Sequence, residues 1–147
     1  MRMKNHWEKV YHTHAPADVS WFQEHAATSL RLIKSAGIKK SGPIIDVGGG
    51  ASTLVDDLLQ DGFENITVLD ISEEALRVAR ERLGEQAAPV TWLAADIIAA
   101  PLPAQHYDLW HDRAVCHFLV DAADRRKYIE AVRHSVKPGG YVIIATF

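Results

Sequence analysis

Apolar positions along this chain follow two alternating rhythms, one strand-like and one helical. Short apolar runs, several rich in β-branched residues, stand at Ile44-Ile45-Asp46-Val47, at 65–70, at 89–94, at 107–112 and at 141–147. Bounded by Gly, Pro, Asp or Asn, such runs read as buried strands. Between them the spacing turns helical. Phe22, Ala26, Leu30 and Ile33 share a face over 21–36, and Gly37 supplies the stop. Leu54, Val55, Leu58 and Leu59 form a stripe from about Ser52 to Asp61. Ala75, Leu76, Ala79 and Leu83 form another, between Ser72 as cap and Gly84. A last helix from Ala123 to Val136 is expected to bury Tyr128, Ile129, Val132 and Val136, until Lys137-Pro138-Gly139-Gly140 breaks it.

Strands alternating with helices predict an α/β protein with a doubly wound, mostly parallel sheet. At 147 residues the chain makes one domain with a sizeable core. Within it, 1–36 form an N-terminal cap and helix, and 43–147 form the core.

The junction after the first strand carries the chemistry. Asp46-Val47-Gly48-Gly49-Gly50-Ala51-Ser52-Thr53 runs from a strand through three glycines into small hydroxyl residues. Glycines let a ligand lie against backbone, and the amides that open the next helix point at it. This is a binding loop for a nucleotide-like cofactor. The dinucleotide fingerprint needs a third glycine where Thr53 stands, and a phosphate loop needs a lysine that Ala51-Ser52 does not offer. What remains is D-x-G-x-G. Asp70 ends the second strand, roughly 20 residues beyond the turn, where an acid can accept both hydroxyls of a ribose. Ile71 follows it, suited to an adenine face. The third strand ends at Ala95-Asp96-Ile97.

Together these residues resemble motif I and the following strand ends of the class I S-adenosylmethionine-dependent methyltransferases, with Ser52 in place of a third glycine. The resemblance implies a Rossmann-like sheet in the order 3-2-1-4-5 and S-adenosylmethionine as cofactor. Gly48, Gly49 and Gly50 would take its methionine part, with Asp46 behind the turn. Asp70 would hold the ribose, and Asp96 with Ile97 the adenine. The L/V-K-P-G-G turn before a strand is a further family feature, met here as Val136 to Gly140. The N-terminal Trp7, Tyr11 and Val19-Ser20-Trp21-Phe22 resemble a cap of the subgroup that includes lysine methyltransferases, which implies Tyr11 and Trp21 as cofactor contacts. Asp112-Arg113-Ala114 matches that subgroup's D-K/R-G segment, with Ala114 for Gly. It makes Asp112 the candidate catalytic carboxylate, to orient an amine acceptor or accept its proton. His111 and His117 are candidate bases or packing histidines. Cys116 has no sequence reason to be a nucleophile.

Composition narrows the partners. A net charge of -3 without a basic run argues against nucleic-acid binding. His12-x-His14 has no Cys or acid ligands nearby, so no metal site is expected. The single Cys116 makes no internal disulfide, no apolar run of about 18 residues or more spans a membrane, and the start lacks a signal-peptide core. The cytoplasm is the expected location. The family's sheet has two strands more than this chain, so the fifth strand is expected to leave an unblunted apolar edge, open to homodimerisation. The activity expected is methyl transfer to a protein lysine or a small molecule. The alternatives are a non-catalytic S-adenosylmethionine-binding module or fragment, and an NAD-dependent Rossmann oxidoreductase.

Overall fold

Ile44 and Leu109 turn to one side of the sheet, Ile45 and Trp110 to the other, and this two-residue alternation builds two cores. The computed structural model describes residues 26–50, 52–113 and 115–145, without the His117 side chain. Its strands are β1 (Ile44–Val47), β2 (Ile66–Asp70), β3 (Val90–Ala94), β4 (Tyr107–Asp112) and β5 (Val136–Ile144). They form one sheet in the order β3-β2-β1-β4-β5, and every pairing is parallel. This is the doubly wound arrangement expected from the sequence. The order reverses between β1 and β4, the switch point at whose carboxyl ends doubly wound sheets bind ligands.

The helices are α1 (Ala27–Ala36), α2 (Leu54–Gln60), α3 (Glu73–Leu83) and α4 (Ala122–Ser135). On one face, Ile33 of α1, Leu54, Val55 and Leu58 of α2, and Leu76 and Leu83 of α3 pack on Ile44, Ile66, Val68 and Leu109. On the other, Tyr128 of α4 joins Leu119, Ile97 and Leu102 against Ile45, Val47, Leu69 and Trp110. Each such aliphatic side chain contributes about 1.5–3 kcal/mol by leaving water. Ser72 caps α3 as the sequence implies, its Oγ accepting from the Ala75 amide at 3.1 Å.

Two expectations are corrected at the end of the described chain. Val136 does not continue α4. It pairs with Tyr107 as the first residue of β5, after which the register slips until Tyr141 meets Leu109. Lys137-Pro138-Gly139-Gly140 is therefore an excursion within the strand, with Gly139 at φ +82°. Gly140 lies so close to Lys137 O and Asp108 O that a Cβ would sit 2.9 and 3.1 Å from them. Ile129 is exposed rather than buried. It sits one residue from Tyr128, about 100° around α4, and so off the face that packs on the sheet. Among the described residues no helix is long and apolar enough to cross a membrane.

Candidate functional site

The glycine turn leaves β1 with Gly48 at φ +75°, a conformation side chains resist, and its amide donates to Leu69 O of β2 at 2.7 Å. Each of the three glycines is held against a neighbour. A Cβ on Gly48 would strike Val115 Cγ2, one on Gly49 would strike Asp46 Oδ2, and one on Gly50 would strike Asp70 Oδ2. Backbone at this turn therefore lies directly on two carboxylates. The Ser52 amide closes the turn on Gly49 O at 2.8 Å, and Ser52 Oγ accepts from the Leu54 amide at 3.1 Å, where α2 begins.

The acids stand in a row because their strands are neighbours. Asp46 lies near the end of β1 and Asp70 ends β2, both buried. Asp96 follows β3 and is half-buried. Asp70 Oδ1 accepts from the Ser72 amide at 2.8 Å, and its backbone carbonyl accepts from Ala95, which ties the ends of β2 and β3 together. Asp96 Oδ1 accepts from the Ile98 amide at 3.2 Å. Ile71 is half-buried between the acids' loops, whereas Ile97 is buried in the second core.

Asp112 is placed differently from the expectation of a substrate-facing carboxylate. It is 0% exposed. Its Oδ1 accepts from the Val115 amide at 2.8 Å, and its Oδ2 accepts from the Cys116 amide at 3.0 Å and from the Tyr128 hydroxyl at 2.5 Å. The Tyr128 oxygen in turn accepts from Trp110 Nε1 at 3.0 Å. Burial, and then the Asp112 charge, push the Tyr128 phenol well above its ordinary range, so it stays a donor. A carboxylate with these contacts anchors the loop after β4. Burial also raises the Cys116 thiol, with the Asp112 charge adding to it, which leaves no activated nucleophile there. Half-buried Arg113 is pulled below its ordinary value by burial, while the charge of Asp46 acts in the opposite sense.

One arrangement was not legible in the chain. His111 Nδ1 lies 2.8 Å from Asp46 Oδ1, and its Nε2 lies 2.8 Å from Ser29 Oγ of α1. Asp46 and His111 are cross-strand partners. The signal in the sequence is their equal parity on two strands, which becomes informative only once β1 and β4 are known to be neighbours. Tyr11 and Trp21, with the aromatic cap, His12 and His14, lie outside the described residues, as does the His117 side chain.

Comparison with known proteins adds three findings. Residues 44–140 match the family model described as a methyltransferase domain. The ubiquinone/menaquinone biosynthesis C-methyltransferase of Shewanella sediminis is 28% identical over 135 residues, 88% of this chain and 52% of that protein. The chain thus spans about half the length of the curated relatives it matches. Among solved structures, one titled a putative S-adenosylmethionine-dependent methyltransferase of Methanococcus maripaludis superposes with a TM-score of 0.72 at 20% identity. It covers 97% of this chain and 62% of that one, a likeness of fold. The phosphoethanolamine N-methyltransferase 2 of Haemonchus contortus, solved with phosphomonomethylethanolamine and S-adenosylhomocysteine, gives 0.69 at 25% identity over 81% of this chain and 28% of its own.

Proposed function

The chain belongs to the methyltransferase domain family, and on that premise we propose that it binds S-adenosylmethionine at the carboxyl ends of β1, β2 and β3 and passes the methyl group to an acceptor. One observation carries the reading: Asp46, the turn Gly48–Gly50, Asp70 and Asp96 follow one another along three adjacent strand ends. The residues fit such a ligand. The glycine backbone of the turn packs directly on Asp46 and Asp70, where a Cβ would strike their Oδ2 atoms, and carboxylates suit hydroxyl and amino donors.

When bound, the cofactor supplies a methyl group already activated by its sulfonium. The chain's own residues bind, aim and exclude water, and orientation of this kind is worth about 7–11 kcal/mol of barrier. Asp70 would accept from the ribose hydroxyls and Asp96 from the adenine amino group, with half-buried Ile71 beside the ring. Ile97, buried in the second core, would support the loop that carries Asp96. The backbone of 48–50 would receive the methionine part. Asp112 keeps the β4 loop in place through Val115, Cys116 and Tyr128. The relatives' printed acceptors, phosphomonomethylethanolamine among them, favour a small molecule over a protein lysine. A second reading is cofactor binding without turnover, since Asp112, the candidate catalytic carboxylate, has both oxygens engaged inside the protein.

A thermal scan tests the first step. S-adenosylhomocysteine at 100 times its dissociation constant should add about 2.7 kcal/mol of stability. Stabilisation by a nicotinamide dinucleotide, with none from S-adenosylmethionine or its product, would overturn the reading. Methyl transfer from labelled cofactor to a panel of small amines, phenols and quinols then separates the enzyme from the binding module.

A further inference from the structure

We propose that His111 is a positioning residue, which sets the Asp46 carboxylate against the glycine turn and, through Ser29, ties α1 to that turn. The proposal rests on the reading of the turn as the cofactor's seat. Its basis is an unbroken chain of short contacts inside the protein: Asp46 Oδ1 to His111 Nδ1 at 2.8 Å, and His111 Nε2 to Ser29 Oγ at 2.8 Å. Asp46 and His111 are 2% exposed and Ser29 is 5% exposed.

The roles follow from what each group can donate. An ionised carboxylate only accepts, so Nδ1 carries a proton toward Asp46. In the neutral ring Nε2 then accepts the Ser29 hydroxyl proton. Either way one imidazole joins three elements, β4 by its backbone, β1 through Asp46, and α1 through Ser29. With Oδ1 taken by His111, the Asp46 group has one orientation, and in it Oδ2 lies against Gly49. The position of the turn is thereby coupled to α1, across the sheet from α4. The Ser-His-Asp order resembles a hydrolytic triad, but Ser29 is 5% exposed, which leaves its hydroxyl to the imidazole. The device is geometric.

The test combines binding with a spectroscopic readout on the whole chain. S-adenosylhomocysteine affinity is measured by isothermal titration for the wild type, Ser29→Ala and His111→Asn, with circular dichroism and melting as controls of folding. His111→Asn should bind about tenfold or more weakly, the range of a lost hydrogen bond to a charged group. Ser29→Ala should weaken binding less, because the Asp46 contact survives. In the wild type, the Nδ1–H resonance of His111, the proton directed at Asp46, should shift on addition of S-adenosylhomocysteine. Folded variants with unchanged affinity, or ring resonances that do not move on saturation, would overturn the positioning role and leave the cofactor reading standing. A wild type that binds no S-adenosylhomocysteine would overturn both. If His111→Asn does not fold, the resonances of the wild type decide alone.

Discussion

Asp70 and Asp112 show how two acids at the ends of the parallel strands that flank β1 acquire different work. Asp70 keeps one oxygen on its own loop and turns the other to Gly50, at the proposed seat of the ligand. Asp112 has both oxygens engaged inside the protein. Asp70→Ala should weaken S-adenosylhomocysteine binding by about 1.5–3 kcal/mol, read by titration, with the fold retained. Tyr128→Phe should instead cost about 1–3 kcal/mol of stability in urea, since it strands a lobe of Asp112 and the Trp110 indole proton. A Tyr128→Phe protein as stable as the wild type would show the Asp112 cluster to be dispensable. The same cluster sets an alkaline limit. Tyr128 and Cys116 both titrate higher in the folded protein than their ordinary values of 10.0 and 9.0. The unfolded chain therefore releases these protons first as pH rises. Their contribution is complete below about pH 9 and declines above it, so the melting temperature should fall between about pH 9 and 11. Tyr128→Phe should flatten that decline.

At the level of elements, β5 depends on glycine for an excursion that strand propensity alone does not specify. Val136 and Tyr141 both pair with β4, and Lys137 to Gly140 arch out between them. Lys137 Nζ holds the arch to Asp108 Oδ1 at 2.7 Å, an exposed pair worth little by itself. Gly140 is the tighter constraint, with its backbone against Asp108 O and Lys137 O. Gly140→Ala should destabilise by about 1–3 kcal/mol through this crowding, measured by chemical denaturation. Lys137→Ala should change stability by less than about 1 kcal/mol. The reverse ranking would mean that charge, rather than close backbone approach, holds the arch.

For the molecule as a whole, the edge strands of the sheet among the described residues are β3 and β5. Along β5, Tyr141, Val142 and Ile144 are 46, 44 and 43% exposed. No Pro, Lys or inward charge interrupts Tyr141–Ile144, so its outer main-chain groups can pair with the same strand of a second copy. Self-association that grows with concentration is the expected result in light scattering, and Val142→Lys should reduce it. A wild type that stays monomeric throughout the series would remove this edge from consideration.

The sequence by itself determined the elements and the binding turn. Apolar periodicity is local, so five strands and their helices follow from it, and three glycines after Asp46 with acids at the next strand ends mark the proposed seat of the ligand. It also anticipated the Ser72 cap, because capping is decided within four residues. Only the tertiary structure decided what the acids and His111 do. Asp112 became an anchor because Tyr128, from a helix later in the chain, reaches it across the second core. His111 joined Asp46 because β4 lies beside β1, and Ser29 joined them because α1 packs on that face. A side chain's partners at long sequence separation depend on strand order and on which face each helix covers, and neither is written in the local pattern of apolar and polar residues.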